Sequence, residues 1–343
     1  MKTKTHNAQS ILIIQTAFIG DVILTTPLIR ETKRAFPTAD IDVMVIPQTK
    51  GVLENNPHIR SLLVFDKRGR KLRAFCQMAA HLRKQKYDFA FAAHRSMTTA
   101  WLMIFGGIKN RLGFTGKSSA WLMSDRVTFR QEKKQIDRYL DFLRHLGIHK
   151  VRRQSELFFN AAIEQQVDTL LSDLIPENPT MVIAPGSVRA TKRWPEEYFA
   201  ELLYRLSALP LNLILLGSPG EKALCDDILA RSKAVGVLNL SGKTSLLEAA
   251  AVIKKSDLLL CNDSGTMHMA NAVETDLFAF FGPTIEWFGF GPFRAGDRIF
   301  QVDLYCRPCG THGGKACPEG HFRCMRDISV DEVFRAITKR FKL

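Results

Sequence analysis

Apolar and polar positions along this chain follow two periods in alternation. Short, mainly apolar runs at residues 11–15, 41–46, 62–65 and 89–93 predict buried strands. Residues 22–36 and 72–87, lying between such runs, carry their apolar positions at helical spacing. Residues 101–105, stopped by Gly106-Gly107, and 135–146, stopped by Gly147, predict two further helices. Pro176-Glu177-Asn178-Pro179 then breaks the pattern, and the stretch before Met181 reads as a linker or crossover helix. Alternation resumes with strands predicted at 181–184, 213–216, 237–240, 258–261 and 277–281, and helices at 194–209, 219–231, 245–255 and 266–273. Strands alternating with helices predict βαβ units and parallel sheets, here twice over. The expected organisation is therefore two α/β domains, residues 1–176 and 177–343, the second closing with a helix at the C-terminus. A length of 343 residues is enough for two sizeable cores.

Three predicted strand-to-helix turns hold the polar residues. Residues 11–15 run into Thr16-Ala17-Phe18-Ile19-Gly20-Asp21, and residues 181–184 run into Pro185-Gly186-Ser187, with Lys192-Arg193-Trp194-Pro195 opening the next helix. Residues 258–261 run into Asn262-Asp263-Ser264-Gly265-Thr266. In this third turn Asp263 and Ser264 are candidate helix caps, and Gly265 lets another backbone or a ligand approach. Free N–H groups at such a helix start favour anions, although ordinary βαβ turns that bind nothing look alike. In open α/β sheets a ligand crevice lies at the carboxyl ends of the strands, so all three turns are expected to face one cleft.

Taken in order, four motifs resemble glycosyltransferase family 9, the ADP-heptose:lipopolysaccharide heptosyltransferases. They are Gly20-Asp21 with Thr25-Thr26-Pro27, Pro185-Gly186-Ser187 with Lys192-Arg193-Trp194-Pro195, Asn262 to His268, and Phe281-Gly282-Pro283-Thr284. The resemblance implies the GT-B arrangement, two doubly wound Rossmann-like parallel-sheet domains facing across a cleft. The first would bind the acceptor and the second the nucleotide sugar. It also implies inverting transfer of heptose from ADP-L-glycero-D-manno-heptose to the lipopolysaccharide inner core, with the type II enzymes as the nearest subtype. The run Ser187-Val188-Arg189-Ala190-Thr191 before Lys192 departs from the type II pattern and leaves donor and acceptor identity open.

Each candidate residue has a chemical role beside an ordinary structural one. Asp21 matches the family's general base for the acceptor hydroxyl, and it could equally cap its helix. Lys192 matches the cation that holds the departing diphosphate without a metal, while Arg193 is expected to face solvent. Ser187 matches a phosphate contact or is a turn former. Backbone N–H groups from Asp263 through Ser264, Gly265, Thr266 and Met267 would serve the same diphosphate, with Asp263 reaching the donor sugar. His268 would touch donor or acceptor, or be a packing histidine. Glu221, after Gly217-Ser218-Pro219-Gly220, suits ribose hydroxyls or a first-turn helix charge, and Thr244 suits a wall for the adenine. The acceptor pocket is expected among loops of the first half, such as His94-Arg95-Ser96 and residues 111–117.

A net charge of +14 favours anionic partners, and clusters at 67–73, 83–86 and Lys133-Lys134 supply part of it. With no zinc-finger spacing of the Cys2His2 kind, no aromatic RNP pattern and no long basic helix, nucleic acid is not the expected partner. An anionic glycolipid acceptor at a membrane surface fits better. No apolar run approaches the roughly 18 residues of a spanning helix. Lys2 and Lys4 ahead of an apolar stretch imitate a signal peptide, but Gln15, Thr16 and Asp21 interrupt it and no small-residue cleavage site follows. The expected location is cytoplasmic, at most peripheral on the inner membrane's cytoplasmic face.

Several other readings fail on spacing. Ser241-Gly242-Lys243-Thr244 imitates the end of a Walker A loop, yet Gly236 lies one residue too far upstream and Val237 holds its place. No GxGxxG follows the first strand, which disfavours a dinucleotide oxidoreductase. Cys76, Cys225 and Cys261 read as packing residues. Cys306, Cys309, Cys317 and Cys324, spaced C-x2-C-x7-C-x6-C in a loop over 306–324, have metal-ligand spacing that suits structural zinc or iron, and no cofactor is expected in catalysis. The remaining alternatives are a same-family transferase with another nucleotide-sugar donor, a nucleotide-sugar epimerase, and a basic nucleic-acid binder.

Overall fold

The computed structural model describes residues 8–66, 71–292 and 294–343. The basic positions 67–70, and Lys2 and Lys4, lie outside the described residues. The chain forms two compact units, Met1–Phe158 and Phe159–Leu343.

The first unit runs β1 (Ser10–Ile14), α1 (Ile19–Ala35), β2 (Asp40–Val45), β3 (Ser61–Val64), α2 (Lys71–Gln85), β4 (Phe89–Ala92), α3 (Met97–Phe105), β5 (Asn110–Phe114), β6 (Asp125–Val127) and α4 (Gln135–His145). Its sheet is parallel throughout, in the order β3-β2-β1-β4-β5-β6. The pattern of the sequence follows from this placement. Ile11 to Ile14 are all fully buried because β1 is central and covered on both faces. Leu12, Ile14, Ala90 and Ala92 meet Ala79 and Leu82 of α2 and Ala100, Leu102 and Met103 of α3. On the alternate positions Phe91 meets Phe142 of α4 at 5.3 Å.

Helix α1 tolerates Pro27 in its interior for a visible reason. Proline has no N–H for the Ile23 carbonyl, and the Thr26 hydroxyl donates to that carbonyl at 2.8 Å instead. Thr25 accepts from the Gln15 side chain at 3.0 Å and donates to the Asp21 carbonyl at 2.7 Å, tying the start of α1 to the end of β1.

The second unit begins with α5 (Ala161–Leu170) and continues β7 (Thr180–Ala184), α6 (Glu196–Leu206), β8 (Asn212–Leu215), α7 (Lys222–Ser232), β9 (Val237–Asn239) and α8 (Leu246–Lys254). Then follow β10 (Leu258–Asn262), α9 (Gly265–Val273), β11 (Leu277–Phe280), β12 (Arg298–Phe300), α10 (Arg323–Arg326) and α11 (Val330–Phe341). The order β12-β11-β10-β7-β8-β9 is that of the first sheet read from the other edge. One face packs Met181, Ile183, Leu258, Leu260 and Phe280 against Trp194, Phe199 and Leu203, and against Val333 and Ile337 of α11. Trp194 stacks on Phe280 at 4.5 Å and 11°, and its indole N–H donates to the Ile328 carbonyl.

Three expectations are corrected. The division falls at 158/159 rather than at 176, because α5 packs on α8 and Lys255 pairs with Asp168. Helix α3 starts at Met97, four residues earlier than its apolar run suggests. Residues 110–114 and 125–127 add two strands to the first sheet, so Arg111 is a strand residue whose guanidinium donates to the carbonyls of Ile108, Lys109 and Leu122.

Candidate functional site

In both units the strand order reverses between the first and fourth strands, which is where doubly wound sheets open a crevice. Side chains bridge that point each time. In the first unit the Thr16 hydroxyl, after β1, lies 3.0 Å from Nδ1 of His94, after β4. In the second, Nδ2 of Asn262, at the end of β10, donates to the carbonyl of Pro185, after β7, at 2.8 Å. Oδ1 of the same asparagine accepts the Trp194 N–H at 3.0 Å. The buried Asn262 thus locks together two of the motif turns.

Asp21 occupies the first turn of α1 and is half-buried. The hydroxyl of Tyr139, on α4, donates to its Oδ1 at 3.0 Å. Tyr139 is itself buried, and burial together with the adjacent Asp21 charge holds its phenol far above the usual range, so it stays protonated as a donor. Tyr139 carries no mark in the sequence beyond its place on an amphipathic helix. Near it, Arg95 lies over the Phe129 ring at 3.6 Å and Arg138 over the same ring at 4.9 Å.

Lys192 ends a 3-10 turn (Ala190–Lys192), and its Nζ lies 2.5 Å from Oδ2 of Asp263. That oxygen also accepts the Thr284 hydroxyl at 2.7 Å. Three motifs far apart in sequence therefore meet on one carboxylate oxygen. Neither expected cap forms at α9. Asp263 is engaged with Lys192 and Thr284, and Ser264 bonds Thr266 across their hydroxyls at 2.7 Å. The helix start, Gly265-Thr266-Met267, is left without a side-chain cap, beside a lysine. Such an end attracts an anion.

One turn further, His268 is buried, and its Nδ1 has no hydrogen-bond partner among the described residues. Burial pushes the imidazole down to about 4, and the smaller effects of Asp263 and Lys192 oppose one another. It is neutral at physiological pH. Ser187 is buried, and Arg193 is not turned outward as expected: its Nε donates to the Ser187 carbonyl at 2.8 Å.

Glu221 closes a capping box, accepting from the Ser218 N–H at 2.9 Å and hydroxyl at 2.7 Å. Its carboxylate lies against Gly186, where a Cβ would come within 2.0 Å of Oε1, so the glycine makes room for the acid. Thr244, half-exposed, follows Gly242, whose N–H bonds the Gly217 carbonyl at 2.9 Å and so brings the loops after β8 and β9 together.

The cysteine-bearing loop docks on the lysine turn. Thr191 accepts the Gly314 N–H on its hydroxyl at 2.8 Å and donates its own N–H to the Gly314 carbonyl at 3.3 Å. Cys309, Cys317 and Cys324 line a cavity of about 80 Å³. Even so, the described residues contain no group of three His, Cys, Asp or Glu arranged to hold a metal. The Cys309 thiol donates to the Cys306 carbonyl at 3.3 Å, Cys306 lies 3.8 Å from His321, and burial pushes Cys324 up to about 11. The four thiols expected as zinc or iron ligands are close in the fold but do not form a ligand set. Cys225 and Cys261 are buried as expected, whereas Cys76 is exposed.

A sequence profile described as glycosyltransferase family 9 (heptosyltransferase) matches residues 75–319. Lipooligosaccharide heptosyltransferase 2 of Haemophilus influenzae is 28% identical over 292 residues, covering 80% of this chain and 84% of that one. Lipopolysaccharide heptosyltransferase 2 of Escherichia coli is 26% identical over 343 residues, covering 95% and 97%. Among solved structures, a glycosyltransferase family 9 protein of Veillonella parvula superposes with a TM-score of 0.87 at 23% identity, covering 98% of each chain. The E. coli ADP-heptose lps heptosyltransferase II gives 0.79 at 23%, covering 97% of this chain and 99% of that one. With two Rossmann-like sheets of matching order, the class is that of the GT-B glycosyltransferases. The chain belongs to glycosyltransferase family 9, the heptosyltransferases.

Proposed function

We propose that this enzyme transfers heptose from ADP-L-glycero-D-manno-heptose to the lipopolysaccharide inner core, with inversion and with no cofactor or metal in the transfer step. The observation that carries the reading is the Lys192–Asp263 pair beside the uncapped start of α9. A cation and aligned N–H groups are what a departing nucleoside diphosphate needs, since the charge that develops on its oxygens meets dipoles already in place. Asp21 takes the proton of the acceptor hydroxyl as the new C–O bond forms at the anomeric carbon. The bond from that carbon to the diphosphate breaks, and Lys192 neutralises the leaving group.

In this reading the first unit binds the acceptor and the second the donor. Ser187 contacts phosphate, Glu221 the ribose hydroxyls and Thr244 the adenine, while Asp263 and His268 orient the sugar. The names of the relatives, heptosyltransferase 2 in Haemophilus and Escherichia, support a heptose donor and an inner-core acceptor. The net charge of +14 supports an anionic acceptor, met at the cytoplasmic face of the inner membrane. No helix among the described residues is long and apolar enough to cross a membrane.

The test is a donor and acceptor screen with purified protein. ADP release that requires both ADP-heptose and an inner-core acceptor, with a glycosylated product of inverted configuration, is the expected result. Release without acceptor would overturn the reading in favour of an epimerase, and turnover confined to another nucleotide sugar would replace the donor.

A further inference from the structure

Helix α3 has the sequence MTTAWLMIF, with no charged residue. Ala100, Leu102 and Met103 pack inward on the sheet and α2. A helix that covers a sheet in a water-soluble domain ordinarily turns a polar stripe outward. Here the outward stripe is Met97, Trp101 and Phe105, spaced four apart on one face and 40%, 42% and 53% exposed.

Neighbouring elements extend the patch. The Phe105 ring lies 5.8 Å from those of both Trp101 and Phe75, the latter on α2. Gly106 allows α3 to close on α2, since a Cβ there would lie 2.8 Å from Leu82. The 3-10 turn Ser118–Leu122 packs on α3 and presents Trp121, 80% exposed. Single exposed apolar residues are unremarkable on a monomer, but a contiguous aromatic set of this kind marks a contact surface.

The charges on the segment that carries the patch decide the partner. Between residues 71 and 126 the sequence has ten Lys and Arg against two Asp. Both acids are engaged: Asp88 accepts the N–H groups of Gln9 and Ser10, and Asp125 pairs with His145 at 2.9 Å. Arg73, Arg83, Lys109 and Lys117 are exposed, and the exposed Arg126 lies over the Trp121 ring at 5.3 Å. Exposed tryptophan and phenylalanine on a segment rich in exposed cations suit an anionic bilayer surface, the rings entering the headgroup layer and the cations meeting lipid phosphates.

We propose that the outward face of α3, with Trp121 and the basic residues of the same segment, docks the enzyme on an anionic lipid surface. The proposal deepens the membrane-surface part of the function proposed above and gives it an address on the first unit. Docking there brings the protein to an acceptor carried by a lipid, and α3 follows directly after the His94-Arg95-Ser96 loop.

The test compares the full chain with a Trp101→Glu/Trp121→Glu variant in flotation with two kinds of vesicle, phosphatidylcholine alone and phosphatidylcholine with one-third phosphatidylglycerol. The wild type is expected to partition about tenfold more strongly to the anionic vesicles, with a blue shift of its tryptophan emission. The variant is expected to lose that partition by about tenfold while turnover of a delipidated, soluble acceptor stays within about twofold. Both positions are exposed, and an unchanged thermal midpoint of the variant establishes its folding. Wild-type protein that ignores anionic vesicles, or a variant that binds them as well as wild type, overturns the proposal. So does a wild-type dimer that the variant converts to monomer without any vesicle binding, which would make the face a protein interface. Failure of the transferase reading is a separate outcome: vesicles bind, but soluble acceptor elicits no ADP release.

Discussion

Nζ of Lys192 and Oδ2 of Asp263 are 2.5 Å apart, 71 residues separate them in sequence, and both side chains are largely buried. Replacing the lysine alone leaves an uncompensated carboxylate at the start of α9. Lys192→Ala is therefore expected to lower kcat/KM by about 10²–10³-fold and stability by about 3 kcal/mol. Lys192→Ala/Asp263→Asn should recover most of the stability and none of the activity. Urea denaturation and steady-state kinetics on wild type and both variants check this, and equal stability losses in the single and double variants would refute it.

The Tyr139 phenol holds Oδ1 of Asp21. A hydrogen bond to the charged form of a carboxylate favours that form, so its loss raises the pKa of the acid. In Tyr139→Phe the acidic limb of the kcat/KM profile is expected to move to higher pH, with donor affinity kept. Asp21→Asn is expected to cost about 10²–10⁴-fold in kcat, again with donor binding kept. An acidic limb that stays in place in Tyr139→Phe would separate the tyrosine from the base.

Gly186 and Glu221 compete for one volume. Gly186→Ala should drive the acid out of its capping box with Ser218, costing about 1–3 kcal/mol and weakening nucleotide binding. In a Glu221→Ala background the same alanine should be tolerated, with a coupling of about 1 kcal/mol or more in the double-mutant cycle. Additive losses would show that the crowding lies elsewhere.

His268 titrates near 4 in the folded chain against 6.5 when unperturbed. Above pH 6.5 both states hold it neutral, and its contribution to stability is fully present. As pH falls from 6.5 towards 4 the unfolded chain takes up a proton that the buried ring refuses, and up to roughly 3 kcal/mol is lost. His268→Gln should flatten the pH dependence of unfolding free energy in this window by up to one proton. Denaturation series at several pH values, read against wild type, will show an unchanged slope if the ring is hydrated in the native state.

The central strands were legible because they are sealed on both faces: Ile11 to Ile14 and Leu258 to Cys261 are unbroken apolar runs for that reason. Strands β5 and β12 were not. Asn110–Phe114 contains Arg111 and Gly113, the glycine forced by Met123, whose sulfur would lie 2.6 Å from a Cβ there. Arg298–Phe300 is a three-residue edge with one fully buried side chain. The loud break at Pro176 precedes β7, while the true division at Phe158–Phe159 carries no breaker at all. In the candidate site the motif residues stood out, but their pairing did not. That Asp263 would turn from α9 to Lys192 depends on β7 lying beside β10, a neighbour relation fixed by strand order and not by spacing.

The two-way bond between Thr191 and Gly314 makes the cysteine segment a splint for the lysine turn. Alkylation or oxidation of a thiol in that segment would be transmitted through one peptide to the cation itself. Thiol reagents would then act on this enzyme as inhibitors through the lysine turn.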